Sequence, residues 1–155
     1  MQADVVIGAV GDRIRKFPLP VQGLNWGEEY SFPTLGSIPD LELSNWLSKL
    51  ADWSGYALKM LIQAGIELDV LENVFDSKVA KATVKFFGLD KKPTKDYILG
   101  KILTDDAEAI EIRARYIAKH AEVEALRRLA DLYALQLNAV SREISRRSYG
   151  MSKGF

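Results

Sequence analysis

The chain contains no cysteine and a single histidine, His120, in 155 residues. The first absence excludes disulfides, thiol catalysis and cysteine-held zinc or iron–sulfur sites. The second excludes a metal site built from several histidines. No apolar run approaches the roughly 18 residues that cross a bilayer as a helix. The opening MQADVVIGAV has no basic stretch before its short apolar run, so a signal peptide is not expected. Net charge is also lacking, because 21 Lys and Arg balance 21 Asp and Glu. A uniformly basic, histone-like protein is therefore excluded, although local patches are not. Apolar residues make up 48% of the chain, enough for a folded domain.

Proline is nearly absent beyond the first 39 residues, which hold Pro18, Pro20, Pro33 and Pro39. The same segment carries Phe17, Trp26, Tyr30 and Phe32. Prolines at that density exclude a long helix, so residues 1–39 read as an extended arm that rests on its aromatics. Val5–Ile7 reads as a short strand within it. The surface on which the arm rests is either the chain's own helices or a neighbouring subunit.

From Asp40 onward the pattern is helical. Asp40 follows Pro39 as an expected N-cap. Leu43, Leu47, Leu50, Ala57, Leu61, Leu68, Leu71, Phe75, Val79, Ala82 and Phe86 then recur mostly at three- and four-residue steps, which predicts one amphipathic helix ending near Gly88. Gly55 and Gly65 are places where it would bend or break, since each costs about 1 kcal/mol relative to alanine. Thr94 is an expected cap for a short helix through Leu103. Thr104-Asp105-Asp106 is an expected second cap, opening a long helix that closes with Arg146 and Arg147 in its last turn. The fold class that follows is all-α: a long antiparallel helical hairpin over 40–148, the arm over 1–39, and a loose tail over 149–155. Trp46, Trp53, Leu58, Ile62, Ile66, Val70 and Val74 lie off the main apolar stripe, which calls for the arm or further subunits to cover them. A homo-oligomer is therefore expected.

Catalytic signals are weak. Gly8-Ala-Val-Gly11 lacks the lysine and the spacing of a phosphate loop. His120 with Glu122 and Glu124 reads as a surface group, not as a ligand set. The acidic residues around 105–111 suit a helix start. No enzyme activity and no cofactor are expected.

Charge placement is more informative. Residues 76–101 hold Lys78, Lys81, Lys85, Lys91, Lys92, Lys95 and Lys101 against three Asp, a local net of +4. Residues 139–155 hold Arg142, Arg146, Arg147 and Lys153 against Glu143, a net of +3. Lys78, Lys81 and Lys85 fall on one helix face and precede Phe86-Phe87. Lysines beside aromatics suit a single-stranded nucleic acid, whose phosphates they neutralise and whose bases the rings stack. The bland alternatives are a solvated lysine face and C-terminal arginines that serve the helix dipole.

The run Lys78-Val79-Ala80, Lys81-Ala82-Thr83-Val84-Lys85, Phe86-Phe87-Gly88 resembles the end of the first long helix in UvsY-type recombination mediators of tailed phages. The order of parts is similar too: a long helix, a lysine-rich turn, a start at Leu103-Thr104-Asp105-Asp106, and a long helix ending in a Ser-Arg step, here Ser141-Arg142. The resemblance covers roughly residues 40–147. It implies a ring-forming helical homo-oligomer in the host cytoplasm that binds single-stranded DNA. It further implies partners, a RecA-like recombinase that it helps to load and the single-strand-binding protein present there. The family's basic DNA-contacting pair carries over as Lys81 and Thr83, so the second charge is missing. Lys78 and Lys85 stand on nearby turns to supply it, and Lys91, Lys92, Arg142, Arg146 and Arg147 complete the candidate DNA-binding set. The rival reading is a structural virion protein of the phage head, neck or tail, using the same hairpin for assembly. A third is an adaptor or inhibitor that binds a host protein through the basic tail.

Overall fold

A computed structural model describes residues 4, 5, 8, 31–86 and 93–152. Among these, the chain is all-α, as the sequence predicts. A 3-10 turn, Leu35–Ser37, leads into α1 (Asp40–Phe86), followed by α2 (Lys95–Asp105) and α3 (Ala107–Ser152). No helix among the described residues is long and apolar enough to cross a membrane.

The helix boundaries follow local chemistry, with some differences from expectation. Asp40 is the first residue of α1, not its cap, and Pro39 supplies the carbonyl that accepts from the Leu43 N–H at 3.0 Å. Gly55 and Gly65 do not interrupt the 47-residue helix. Thr94 caps α2 as predicted, accepting from the Tyr97 N–H at 3.2 Å. The next cap is Asp106 alone, whose Oδ1 accepts from the Ala109 N–H at 3.0 Å. Thr104 and Asp105 still belong to α2, and the Thr104 hydroxyl donates back to the Gly100 carbonyl at 2.7 Å. One residue thus separates α2 from α3. The latter runs on to Ser152, so Arg146 and Arg147 lie short of its last turn, and positions 149–152 are helical, not a loose tail.

The buried positions of α1 are spaced more regularly than three- and four-residue steps suggest. Leu43, Leu50, Ala57, Ala64 and Leu71 follow one another at intervals of seven and are each at most 2% exposed. A seven-residue repeat keeps one narrow seam of a helix against a partner helix.

The chain's contacts divide it into two units. One comprises residues 1–17 and 62–124, the other 18–61 and 125–155. In the first, Leu71 and Phe75 of α1 meet Ile98 and Ile102 of α2 and Ala109 and Ile112 of α3. Phe86, Leu99 and Tyr116 pack around them. The Arg113 guanidinium lies over the rings of Phe75 and Tyr116, at 5.6 and 5.2 Å, and cation–π contact holds its long side chain there. Lys78 pairs with Glu108 while Glu67 pairs with Lys119, so α1 and α3 run antiparallel within this unit.

In the second unit Leu43, Leu50, Trp53 and Ala57 pack against Ala130, Tyr133 and Val140. Trp53 is 8% exposed, with its ring 6.0 Å from Tyr133 and edge-on to Trp46 at 6.2 Å. Its ring partners lie within this unit, where Phe32, Leu35 and Ile38 from the segment before α1 pack against the same core, so no further subunit is needed to cover it. Val70 and Val74 likewise pack on the core of the first unit. Leu58 and Ile62 remain 47% and 50% exposed.

Of the segment expected to form an arm, residues 31–39 pack within the second unit, whereas Phe17, Trp26 and Tyr30 lie outside the described residues. Phe32 meets Trp46 edge-on at 5.7 Å, and Leu35 and Ile38 lie against the same core. Asp4 and Val5 are helical, which does not fit the strand expected over Val5–Ile7. Deleting residues 1–38 removes, among the described residues, the partly buried side chains of Phe32, Leu35 and Ile38 from this core. A fully buried one contributes about 1.5–3 kcal/mol, so a loss of about 3 kcal/mol is expected, read as an earlier melt by circular dichroism. An unchanged melting curve would show that this segment contributes nothing.

Candidate nucleic-acid interface

Six of the eight candidate DNA contacts are among the described residues, and they fall into two groups that belong to different units. Lys78, Lys81 and Lys85 lie on α1 in the first, and Arg142, Arg146 and Arg147 on α3 in the second. Lys91 and Lys92 lie outside the described residues, as does Phe87.

Lys78 is not a free cation. Its Nζ donates to Glu108 at 2.7 Å and to Asp106 at 3.4 Å, and the side chain is 20% exposed. The bond to Glu108 is the main reason its pKa is raised. Asp106 is held below its ordinary value, first by the Ala109 N–H and then by Lys78. Lys78 stands seven residues after Leu71, so it continues the buried seam where α3 begins opposite. Beyond that point α1 extends past the start of α3 and packs against α2 instead.

That geometry leaves Lys81 and Lys85 exposed, with no ion pair to a described residue. Between them Thr83 turns its hydroxyl inward and donates to the Val79 carbonyl at 2.8 Å. Phe86 is partly buried on the core, and its ring meets Tyr97 of α2 edge-on at 6.2 Å. Tyr97 itself is 54% exposed. Sequence reasoning passed over it, because the only local signal is an aromatic in the first turn of a short helix between lysines 95 and 101. Lys101 pairs with Asp105 at 3.0 Å.

The arginines of the second unit have different roles. Arg147 donates to the carbonyls of Leu35 and Ile38, both at 2.8 Å, and to Asp40 at 2.7 Å. It also shares Glu143 with Arg146, which forks onto that carboxylate at 2.6 and 2.8 Å. Arg147 is thus a clamp that ties the 3-10 turn and the start of α1 to α3, not a C-terminal group serving the helix dipole. Arg142 is exposed and makes no ion pair to a described residue. His120 is exposed, with its ring 6.2 Å from Tyr116, and no three metal-ligating side chains converge among the described residues.

Arg146 first and Arg147 second hold the Glu143 carboxyl down at about 2, against an ordinary 4.5. A carboxyl with a lowered folded pKa stabilises the fold above its unfolded pKa and loses that contribution as pH falls through the folded one. Glu143 is therefore expected to contribute fully above about pH 5 and to lose its contribution on acidification toward pH 2. Melting temperatures measured from pH 7 to 2.5 should fall less steeply in Glu143→Gln than in the unaltered chain, with the variant already lower at pH 7. Parallel decline of the two would remove Glu143 from the acid response.

No family model, no curated protein and no solved structure significantly matches this chain.

Proposed function

We propose that the protein is a non-enzymatic, single-stranded-DNA-binding recombination mediator. It acts in the host cytoplasm as a ring-like homo-oligomer, built on one helical hairpin, that assists the loading of a RecA-like recombinase in the presence of single-strand-binding protein. The observation that carries this reading is the pair Lys81 and Lys85. Both are exposed and without an ion pair to a described residue at the end of α1, whose last residue, Phe86, meets the exposed Tyr97. The likeness of the 78–88 run to UvsY-type mediators supports the same role. The mechanism is electrostatic: each subunit contributes a weak contact, and a ring multiplies it into avidity. Binding to labelled oligonucleotides over a range of salt tests it. Salt-dependent binding that favours single strands over duplex is expected, and no single-strand binding even at low salt would overturn it.

A second reading, a structural virion protein of a phage head, neck or tail, draws on a different observation. Lys78, Arg146 and Arg147, three of the eight candidate contacts, are paired within their own units. Exposed Leu58, Ile62 and Leu135 would serve assembly equally well. Recovery of the protein from purified virions, together with absent DNA binding, would favour this reading.

A further inference from the structure

We propose that Tyr97 is a base-stacking platform that gives the Lys81–Lys85 contact its preference for unpaired DNA. The inference rests on the reading of those lysines as a strand contact and adds a second, uncharged mode of recognition to it.

Tyr97 occupies the first turn of α2, which Thr94 fixes by accepting its backbone N–H. Its helix neighbours Ile98 and Ile102 are 4% and 6% exposed, yet Tyr97 is 54% exposed. The core does not need this ring. Its hydroxyl has no hydrogen-bond partner among the described residues. The ring is nevertheless located, because it meets Phe86 at 6.2 Å with the planes 78° apart, and Phe86 packs on the core. An aromatic side chain ordered before binding loses little entropy when a base stacks on it.

Its partner ring adjoins a cation. Phe86, which it touches, directly follows exposed Lys85, whereas Lys101, one turn further along α2, is paired with Asp105 at 3.0 Å, and Asp96 directly precedes Tyr97. Cations that track a backbone, combined with a ring that accepts a base, form the usual site for a single strand. Every base has a stacking face, so such a site tolerates any sequence. In a duplex those faces are already stacked on neighbouring base pairs, so the ring gains nothing there while the lysines still attract phosphates. Charge alone therefore draws both forms of DNA, and Tyr97 separates them.

The test is Tyr97→Ala in the full chain, titrated with a single-stranded oligonucleotide, the matching duplex and an abasic strand of equal length. Stacking contributes on the order of tenfold to a hundredfold in affinity per base. Single-strand affinity should fall by about that factor, while duplex affinity and the slope against salt stay unchanged. Tyr97→Phe should restore binding. The unaltered protein should bind the abasic strand no better than Tyr97→Ala binds the normal one. If Tyr97→Ala proves poorly folded by circular dichroism, Tyr97→Leu keeps apolar packing on Phe86 without a stacking face and decides the matter. Lysine-dependent, salt-sensitive binding that is indifferent to these changes would overturn the stacking role alone. A wild-type chain that fails to bind single strands at any salt would instead overturn the mediator reading beneath it.

Discussion

Replacing Lys81 and Lys85 together with alanine is expected to weaken single-strand binding strongly and to flatten its salt dependence, while helicity and oligomer mass stay the same. Each phosphate neutralised on a single strand contributes about −0.7 to the slope of log affinity against log salt. Two lysines from each of three engaged subunits would give a slope near −4, so affinity would fall by roughly two to three powers of ten between 50 and 200 mM salt. The double variant should lose most of that slope. The fold should tolerate the change, because neither side chain is buried or paired with a described residue. Lys78→Ala is the informative contrast. It strips Asp106 and Glu108 of their shared cation at the junction of α2 and α3, so it should lower stability more than it lowers binding. If the Lys81/Lys85 double variant binds single-stranded DNA as well as wild type at every salt concentration, the assigned site is wrong.

Trp53→Ala is expected to destabilise the second unit by about 3–5 kcal/mol, the range for truncating a large buried aromatic. The indole is 8% exposed between Trp46 and Tyr133, and its removal takes away the ring that joins them. Chemical denaturation followed by circular dichroism measures the loss. Leu58→Ala, at a position 47% exposed, should change subunit stability by only about 0.5 kcal/mol. Any larger effect of Leu58→Ala should appear as a change in oligomer mass by light scattering, because its exposed side chain is available to a neighbour. The two residues look alike in sequence, as apolar positions off the main stripe. A loss under 1 kcal/mol for Trp53→Ala would show that the aromatic cluster does not hold this unit together.

The outcome at the candidate site depends on the same distinction. Lys78, Lys81 and Lys85 form one row by sequence spacing, but Lys78 stands where α3 begins, and Glu108 and Asp106 take its charge. Lys81 and Lys85 lie beyond that start, where α1 faces α2. Arg147 occupies a comparable position, seven residues after Val140, and turns to Asp40 and the carbonyls of Leu35 and Ile38. Lys119 stands seven after Ile112 and turns to Glu67. In each case a basic residue continues a line of buried apolar positions and is satisfied from another part of the chain.

Local sequence by itself determined the all-α class, the cap at Thr94, the helix start beside Pro39 and the placement of Lys81 and Lys85 on a helix surface. These follow from interactions between residues a few positions apart: hydroxyl caps, the missing proline N–H, and apolar periodicity. Asp106 as the working cap, the seven-residue spacing of the buried line, the enclosure of Trp53 and the commitment of Lys78 and Arg147 were decided by tertiary structure. The partners of Lys78 lie 28 and 30 residues away, and those of Arg147 in the turn and at the start of α1 lie 107 to 112 away. A charge on a helix reads the same in sequence whether water or a carboxylate stands opposite it. Only the packing of distant segments settles which of the two it meets, because the energy of the pair depends on separation in space and not along the chain.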